Sequence, residues 1–161
     1  MVAWNKLKII VHTTETENYL YTNSFDIEGG NFSKAGTIAT RIKSILKELG
    51  LPNDVVRKSA IVSYESEINI VSYARKGIIT LTVTPKTVEI DVTDEGPGIP
   101  DVELAREQGY STANQQIREM GFGAGMGLAN MKKNSDSMKI SSVPGEGTTV
   151  HLVTYIKPNA G

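Results

Sequence analysis

Glycine constrains this chain more than any other residue. Seven of the fifteen glycines fall between Gly96 and Gly127, inside what otherwise reads as a succession of strands and helices. Glycines at that density expose main chain and admit conformations closed to other residues. The stretch is therefore a place where something approaches the backbone or where the chain moves. Two runs of two-residue alternation lead into it. Ile79, Leu81 and Val83 mark the first, and Val88, Ile90 and Val92 the second. Pro85-Lys86 stands between them, which predicts a hairpin. Asp94-Glu95-Gly96-Pro97-Gly98 ends the second strand abruptly.

Beyond it, a short helix is expected over 101–107. Residues 109–125 follow neither period, a length that in a connection usually serves function or motion. A helix is expected over 127–134, then strands over 138–143 and 148–156 around Pro144-Gly145-Glu146-Gly147. Upstream, Ile38, Ile42, Ile45, Leu46 and Leu49 recur at helical spacing over 34–49, and Gly50 with Pro52 stops them. A second helix is expected over 54–73, capped by Asp54, with Ile61, Tyr64, Ile68 and Val71 on its apolar steps. The start reads as strands over 7–11 and 19–27, broken at Gly29-Gly30-Asn31. Helices first, then strands around a glycine-rich interruption, predict an α+β two-layer sandwich: one mixed sheet with helices on one face.

Composition narrows the chemistry. At 161 residues and 39% hydrophobic, the chain can bury one core. Lys+Arg of 17 against Asp+Glu of 18 leaves a formal charge of −1, which argues against holding nucleic acid by bulk charge. There is no cysteine, so disulfides, thiolate metal sites and cysteine nucleophiles are excluded. His12 and His151 both fall in expected strands and are read as structural. No apolar run approaches the ~20 residues of a membrane span, and the first residues do not resemble a leader. A cytoplasmic protein without direct nucleic-acid or membrane contact is expected.

Three groups of residues can carry chemistry. Glu65 and Asn69 are four apart on the second helix and so project from nearly the same face. A carboxylate and an amide oxygen one turn apart can address a hard cation and a neighbouring hydroxyl, or can be two polar residues on a solvated face. Glu67 lies about 200° from Glu65 around the helix and is read as surface. Asp94, at the end of an apolar strand and followed by glycines, can accept from an exocyclic purine amine, or can open an ordinary acidic turn. Gly121-Phe122-Gly123-Ala124-Gly125-Met126-Gly127 precedes a helix and can offer amides to phosphate, or can hinge a lid. Its spacing fits neither the Walker A loop nor the dinucleotide fingerprint.

Taken in order, these groups resemble the GHKL, or Bergerat-fold, ATPases, a superfamily of histidine kinases, gyrase, a heat-shock chaperone and mismatch-repair ATPases. Glu65-x-x-x-Asn69 is similar to the N box, Asp94-x-Gly96-x-Gly98 to the first glycine box and Gly123-x-Gly125-x-Gly127 to the second. Gly145-Glu146-Gly147-Thr148-Thr149 is similar to the closing motif. The resemblance covers about residues 35–156. Within the superfamily the chain most resembles the anti-sigma-factor serine/threonine kinases of bacterial partner switching, in their stress-response switch-kinase branch. Ile70 follows Asn69 where the family often carries a small residue.

The resemblance implies a kinase domain over 35–161, with residues 1–34 as a strand region that packs on or extends the sheet. It implies ATP and Mg²⁺. Glu65 would be the general base, Asn69 would hold Mg²⁺, and Asp94 would accept from the adenine amine. Gly96, Gly98 and Ile99 would lie against the base. Ser111 and Thr112 would sit in a lid. Gly123, Ala124, Gly125, Met126 and Gly127 would wrap the phosphates, and Thr149, or its neighbour Thr148, would bond near Asp94. The implied activity is phosphorylation of a STAS-type antagonist or scaffold, with a sigma factor or a phosphatase as further client and a homodimer as an open alternative. The competing reading is a non-catalytic ATP/ADP-sensing module that captures a partner. No basic residue is singled out for the phosphates: Lys132 and Lys133 read as a solvated pair, and Arg118 stays open.

Overall fold

A computed structural model describes residues 19–99, Val102 and 126–158. The elements, in chain order, are β1 (Tyr21–Glu28), a single 3₁₀ turn (Phe32–Lys34), α1 (Thr37–Glu48), α2 (Asn53–Tyr73), β2 (Lys76–Val83), β3 (Thr87–Asp94), α3 (Gly127–Lys133), β4 (Ser137–Val143) and β5 (Gly147–Tyr155). The expected strand over 7–11 and helix over 101–107 lie outside the described residues.

The strands form one sheet in the order β1-β2-β3-β5-β4. All four pairings among the described residues are antiparallel, which for these strands corrects the mixed sheet expected from the sequence. The reason is topological. β4 runs in the same direction as β3, and a parallel contact would follow if it docked there. Instead β4 takes the edge, and β5 turns back through Pro144–Glu146 to fill the place beside β3. β1 extends the sheet at the opposite edge, paired from Tyr21↔Val83 to Glu28↔Lys76.

The alternation seen in the sequence sorts the sheet into two faces. Ile79, Leu81, Val83, Val88, Ile90, Val92, Val150 and Leu152 point inward and are buried. Helices cover that face, with α2 at the centre touching β1, β2, β3 and β5 and flanked by α1 and α3. Ile70, fully buried, stands where a smaller residue was the family's habit. Gly77 on β2 makes the room: a β-carbon there would lie 2.7 Å from the Ile70 side chain.

α2 has ten buried residues, including the small polar Ser59, Ser63 and Ser66. Its expected cap, Asp54, lies instead in its first turn, with Pro52 at the cap position. The larger correction is Glu67, which is 2% exposed rather than on the surface. The side of α2 away from Glu65 faces α1, not water. There the Glu67 carboxylate accepts from the backbone N–H of Ile38 (3.2 Å) and of Ala39 (2.9 Å). α1 begins at Gly36 with no side-chain cap of its own, so α2 supplies the acceptor its first turn lacks. Hydrogen bonds to a charged group contribute about 1.5–3 kcal/mol. Glu67→Ala is therefore expected to destabilise the fold by about that much, read as a shift in the urea midpoint. An unchanged midpoint would remove this bond from the account of α1.

Candidate active site

Glu65, Asn69, Asp94 and Gly127, drawn from the groups singled out in the sequence, lie along α2. Residue by residue, α2 rises about 1.5 Å, so its C-cap Ala74 lies about 7.5 Å beyond Asn69 and about 13.5 Å beyond Glu65. Gly96 packs against Ala74: a β-carbon at Gly96 would sit 3.4 Å from Ala74 Cα and 2.9 Å from Asp94 Oδ1. Asp94 therefore stands at the C-terminal end of α2, Asn69 follows, and Glu65 comes last.

Asp94 ends β3 directly opposite Thr148. Its Oδ1 accepts from the Thr148 backbone N–H at 3.3 Å. Burial raises the carboxyl above the usual carboxylate range, and the Thr148 and Gly96 N–H groups pull the other way. A raised folded-state value means that the folded chain takes up this proton more readily than the unfolded chain. The stability it contributes is complete below the unfolded-state value and is lost as pH rises through the folded-state one. At neutral pH the charged carboxylate thus opposes folding. The ligand-free Asp94→Asn protein should melt no lower than wild type at neutral pH, and its advantage should shrink as the pH falls to about 4. Melting curves across that range check this, and a variant clearly less stable at neutral pH contradicts it.

Thr149 does not face this site. β5 alternates, with Thr148 buried and Thr149 exposed on the opposite face of the sheet, across from Thr93. Of the two candidates at this strand entry, Thr148 is the one beside Asp94. Its hydroxyl meets the Ser142 hydroxyl at 2.8 Å, and Ser142 Oγ accepts from the Ile99 N–H at 2.7 Å. The 95–99 segment is further tied to the β4–β5 turn by Gly145 N–H donating to the Pro97 carbonyl at 2.7 Å. Gly98 is required there on two counts. Its φ is +73°, and a β-carbon would lie 2.4 Å from the Val143 carbonyl oxygen. The close approach shown at Gly98 is thus to the protein's own turn. Ile99 packs against the edge of the core. A cavity of about 610 Å³ also opens beside Asp94 on the α1 side, walled by Glu67, Val71 and Gly77; Glu65 and Asn69 do not line it.

At the other end, Gly127 begins α3 against the Glu65–Asn69 pair. A β-carbon at 127 would lie 3.2 Å from Asn69 Oδ1 and 3.4 Å from Glu65 Oε2. Two oxygens from successive turns of α2 therefore converge on one point, left open by the missing side chain. Asn69 Oδ1 is a hard oxygen donor of the type that suits Mg²⁺, so that residue fits such an ion, with the Glu65 carboxylate beside it. The second oxygen of Glu65, Oε1, accepts from Asn130 Nδ2 at 2.9 Å. Asn130 was not singled out in the sequence. The signal was slight: a poor helix former one turn into a short helix, whose partner lies 65 residues away. Met126 precedes α3 and is half-buried.

Ser111, Thr112, Gly123, Ala124, Gly125, Arg118 and His12 lie outside the described residues. Lys132 and Lys133 are exposed at the end of α3. His151 lies on the sheet face away from the helices, with Nδ1 2.6 Å from Asp91 Oδ1.

Comparison with known proteins places the chain among relatives. Residues 62–158 match the family of histidine kinase-, DNA gyrase B- and HSP90-like ATPases. The serine/threonine-protein kinase RsbT of Bacillus subtilis is 33% identical over 71% of this chain and 84% of its own length. An anti-sigma F factor of Caldanaerobacter subterraneus is 33% identical over 66% of this chain and 67% of its own. An anti-sigma F factor of Bacillus licheniformis is 32% identical over 73% of this chain and 69% of its own.

Proposed function

The chain belongs to the histidine kinase-, DNA gyrase B- and HSP90-like ATPase family, and we propose that it is an ATP-dependent protein serine/threonine kinase of the partner-switching, anti-sigma branch. The observation that carries this is the order along α2: a half-buried acceptor at Asp94, an amide oxygen at Asn69 and a carboxylate oxygen at Glu65, the last two converging at Gly127. Asp94 accepts from the exocyclic amine of adenine, so the bound ligand supplies the donor that its buried carboxylate lacks. The triphosphate then extends along α2 toward Gly127.

Asn69 would hold Mg²⁺, which would supply charge neutralisation at the phosphates. Glu65 Oε2 takes the proton from a serine or threonine hydroxyl of the client. That hydroxyl's oxygen forms a bond to the γ-phosphorus, the bond from the γ-phosphorus to the β–γ bridging oxygen breaks, and ADP leaves. Positioning and charge placement, rather than covalent help from the protein, are what phosphoryl transfer needs.

The client we propose is a STAS-type antagonist or scaffold, with a sigma factor or phosphatase as the alternate partner, in the cytoplasm. No helix among the described residues is long and apolar enough to cross a membrane. The relatives' names, a serine/threonine-protein kinase and anti-sigma F factors, support the branch. The test is a pull-down from lysate with the chain loaded with Mg·ATP or Mg·ADP, followed by phosphosite mapping on what binds. A STAS-domain protein carrying a new phosphoserine or phosphothreonine only in the ATP arm is the expected result. Nucleotide-dependent capture without any phosphosite contradicts the kinase reading in favour of a nucleotide-sensing module.

A further inference from the structure

We infer that Asn130 is a positioning residue for the base, an inference that rests on the kinase reading above. Its carboxamide donates from Nδ2 to Glu65 Oε1 at 2.9 Å, so one of the two carboxylate oxygens is occupied by the protein. The other, Oε2, is the one at Gly127, beside Asn69 Oδ1. A glutamate side chain has three rotatable bonds, and a half-buried one with no partner samples several arrangements. Asn130 selects the arrangement that turns Oε2 toward the point where Asn69 also converges.

The supporting contacts on α3 make this a rigid mount. Leu128 and Met131, on either side of Asn130, are buried in the core. Ser66, next to Glu65 on α2, donates to the Val62 carbonyl at 2.7 Å and packs its Oγ 3.7 Å from Met131 Sδ. α2 and α3 thus pack against each other at the turn that carries both Glu65 and Asn130. Asn130 also anchors the end of α3 with its backbone: its carbonyl accepts from the Asn134 N–H and from Asn134 Nδ2. An aspartate at 130 would keep the shape but turn the donor into an acceptor, placing two carboxylates against each other. An alanine would leave Oε1 without this partner. The role is one of orientation: Asn130 reaches Glu65, and Glu65 reaches the hydroxyl.

The test uses the full chain, γ-labelled ATP and, as acceptor, the STAS-domain protein recovered in the pull-down. Asn130→Ala is expected to lower kcat about 10- to 100-fold, the scale on which misplacement of a catalytic group acts, while KM for ATP moves less than about twofold. Asn130→Asp preserves the volume should the alanine variant unfold. In it the paired carboxylates share a proton, so the acid limb of the rate profile moves to higher pH. A purely structural role moves neither kcat alone nor that limb.

In a Glu65→Gln background, Asn130→Ala should add little, because the two act as a unit. If Glu65→Gln abolishes transfer while both Asn130 variants keep wild-type kcat and pH profile, this inference falls and the assignment of the base stands. If Glu65→Gln transfers normally, the assignment of the base falls and takes this inference with it.

Discussion

Asp94→Asn loses ATP binding and keeps the fold. The carboxylate is half-buried at the end of β3, its charge raised in energy by burial and offset only in part by the N–H groups of Thr148 and Gly96. An adenine amine completes its set of donors. Asparagine has the same shape, and its carbonyl oxygen can still accept from the Thr148 N–H, so the β3–β5 register Asp94↔Thr148 survives. What changes is the outward-facing atom. Where the carboxylate accepts, the carboxamide presents an N–H against the N–H of the purine. Losing a hydrogen bond to a charged group costs about 1.5–3 kcal/mol, and leaving a buried donor unpaired adds about 1–3 more. Together these weaken binding by at least about 60-fold. Calorimetry with Mg·ATP on wild type and variant, alongside circular dichroism, reads both halves. A variant that binds ATP with wild-type affinity removes Asp94 from the adenine site.

Glu65→Ala gives the opposite result: ATP binds and the client is not phosphorylated. Glu65 lies nine residues of helix away from Ala74, at the far end of the site from Asp94, so its removal leaves the adenine contacts in place. General-base catalysis contributes about 10²- to 10⁴-fold, and transfer should fall by that factor with nucleotide affinity little changed. Glu65→Gln should behave the same way while retaining an oxygen for Asn130 Nδ2, which separates loss of the base from collapse around α3. A Glu65→Ala protein that still labels its client from γ-labelled ATP places the base elsewhere. The two substitutions together make a clean contrast, with one variant failing at binding and the other at chemistry.

Much of this was legible in the residues. The strands β2 and β3 announce themselves through Ile79, Leu81, Val83, Val88, Ile90 and Val92, all buried on one face. Helical spacing puts Glu65 and Asn69 on one face and Asp94 stands at the end of an apolar alternation, but only the order of the motifs and the resemblance it carries point them to one site. What was not legible depends on contacts between distant segments. Strand directions in the sheet turn on where β5 inserts, which no local pattern encodes. Glu67 reads as surface because a helical wheel opposite a polar site suggests water, whereas α1 lies there and needs an acceptor for Ile38 and Ala39. Thr148 and Thr149 are adjacent, and only the pairing with Asp94 decides which faces inward. Gly77 is the gap that lets Ile70 pack beneath the sheet, a contact between α2 and β2 that no local pattern encodes. Asn130 is the same lesson in the site itself, a single amide whose meaning lies 65 residues upstream.

The most direct measurement is a crystal structure of the chain grown with Mg²⁺ and a non-hydrolysable ATP analogue. The account predicts the adenine amine within about 3.2 Å of the Asp94 carboxylate, the phosphates at Gly127 and the metal on Asn69 Oδ1. An analogue bound elsewhere, or one whose purine faces away from Asp94, contradicts it.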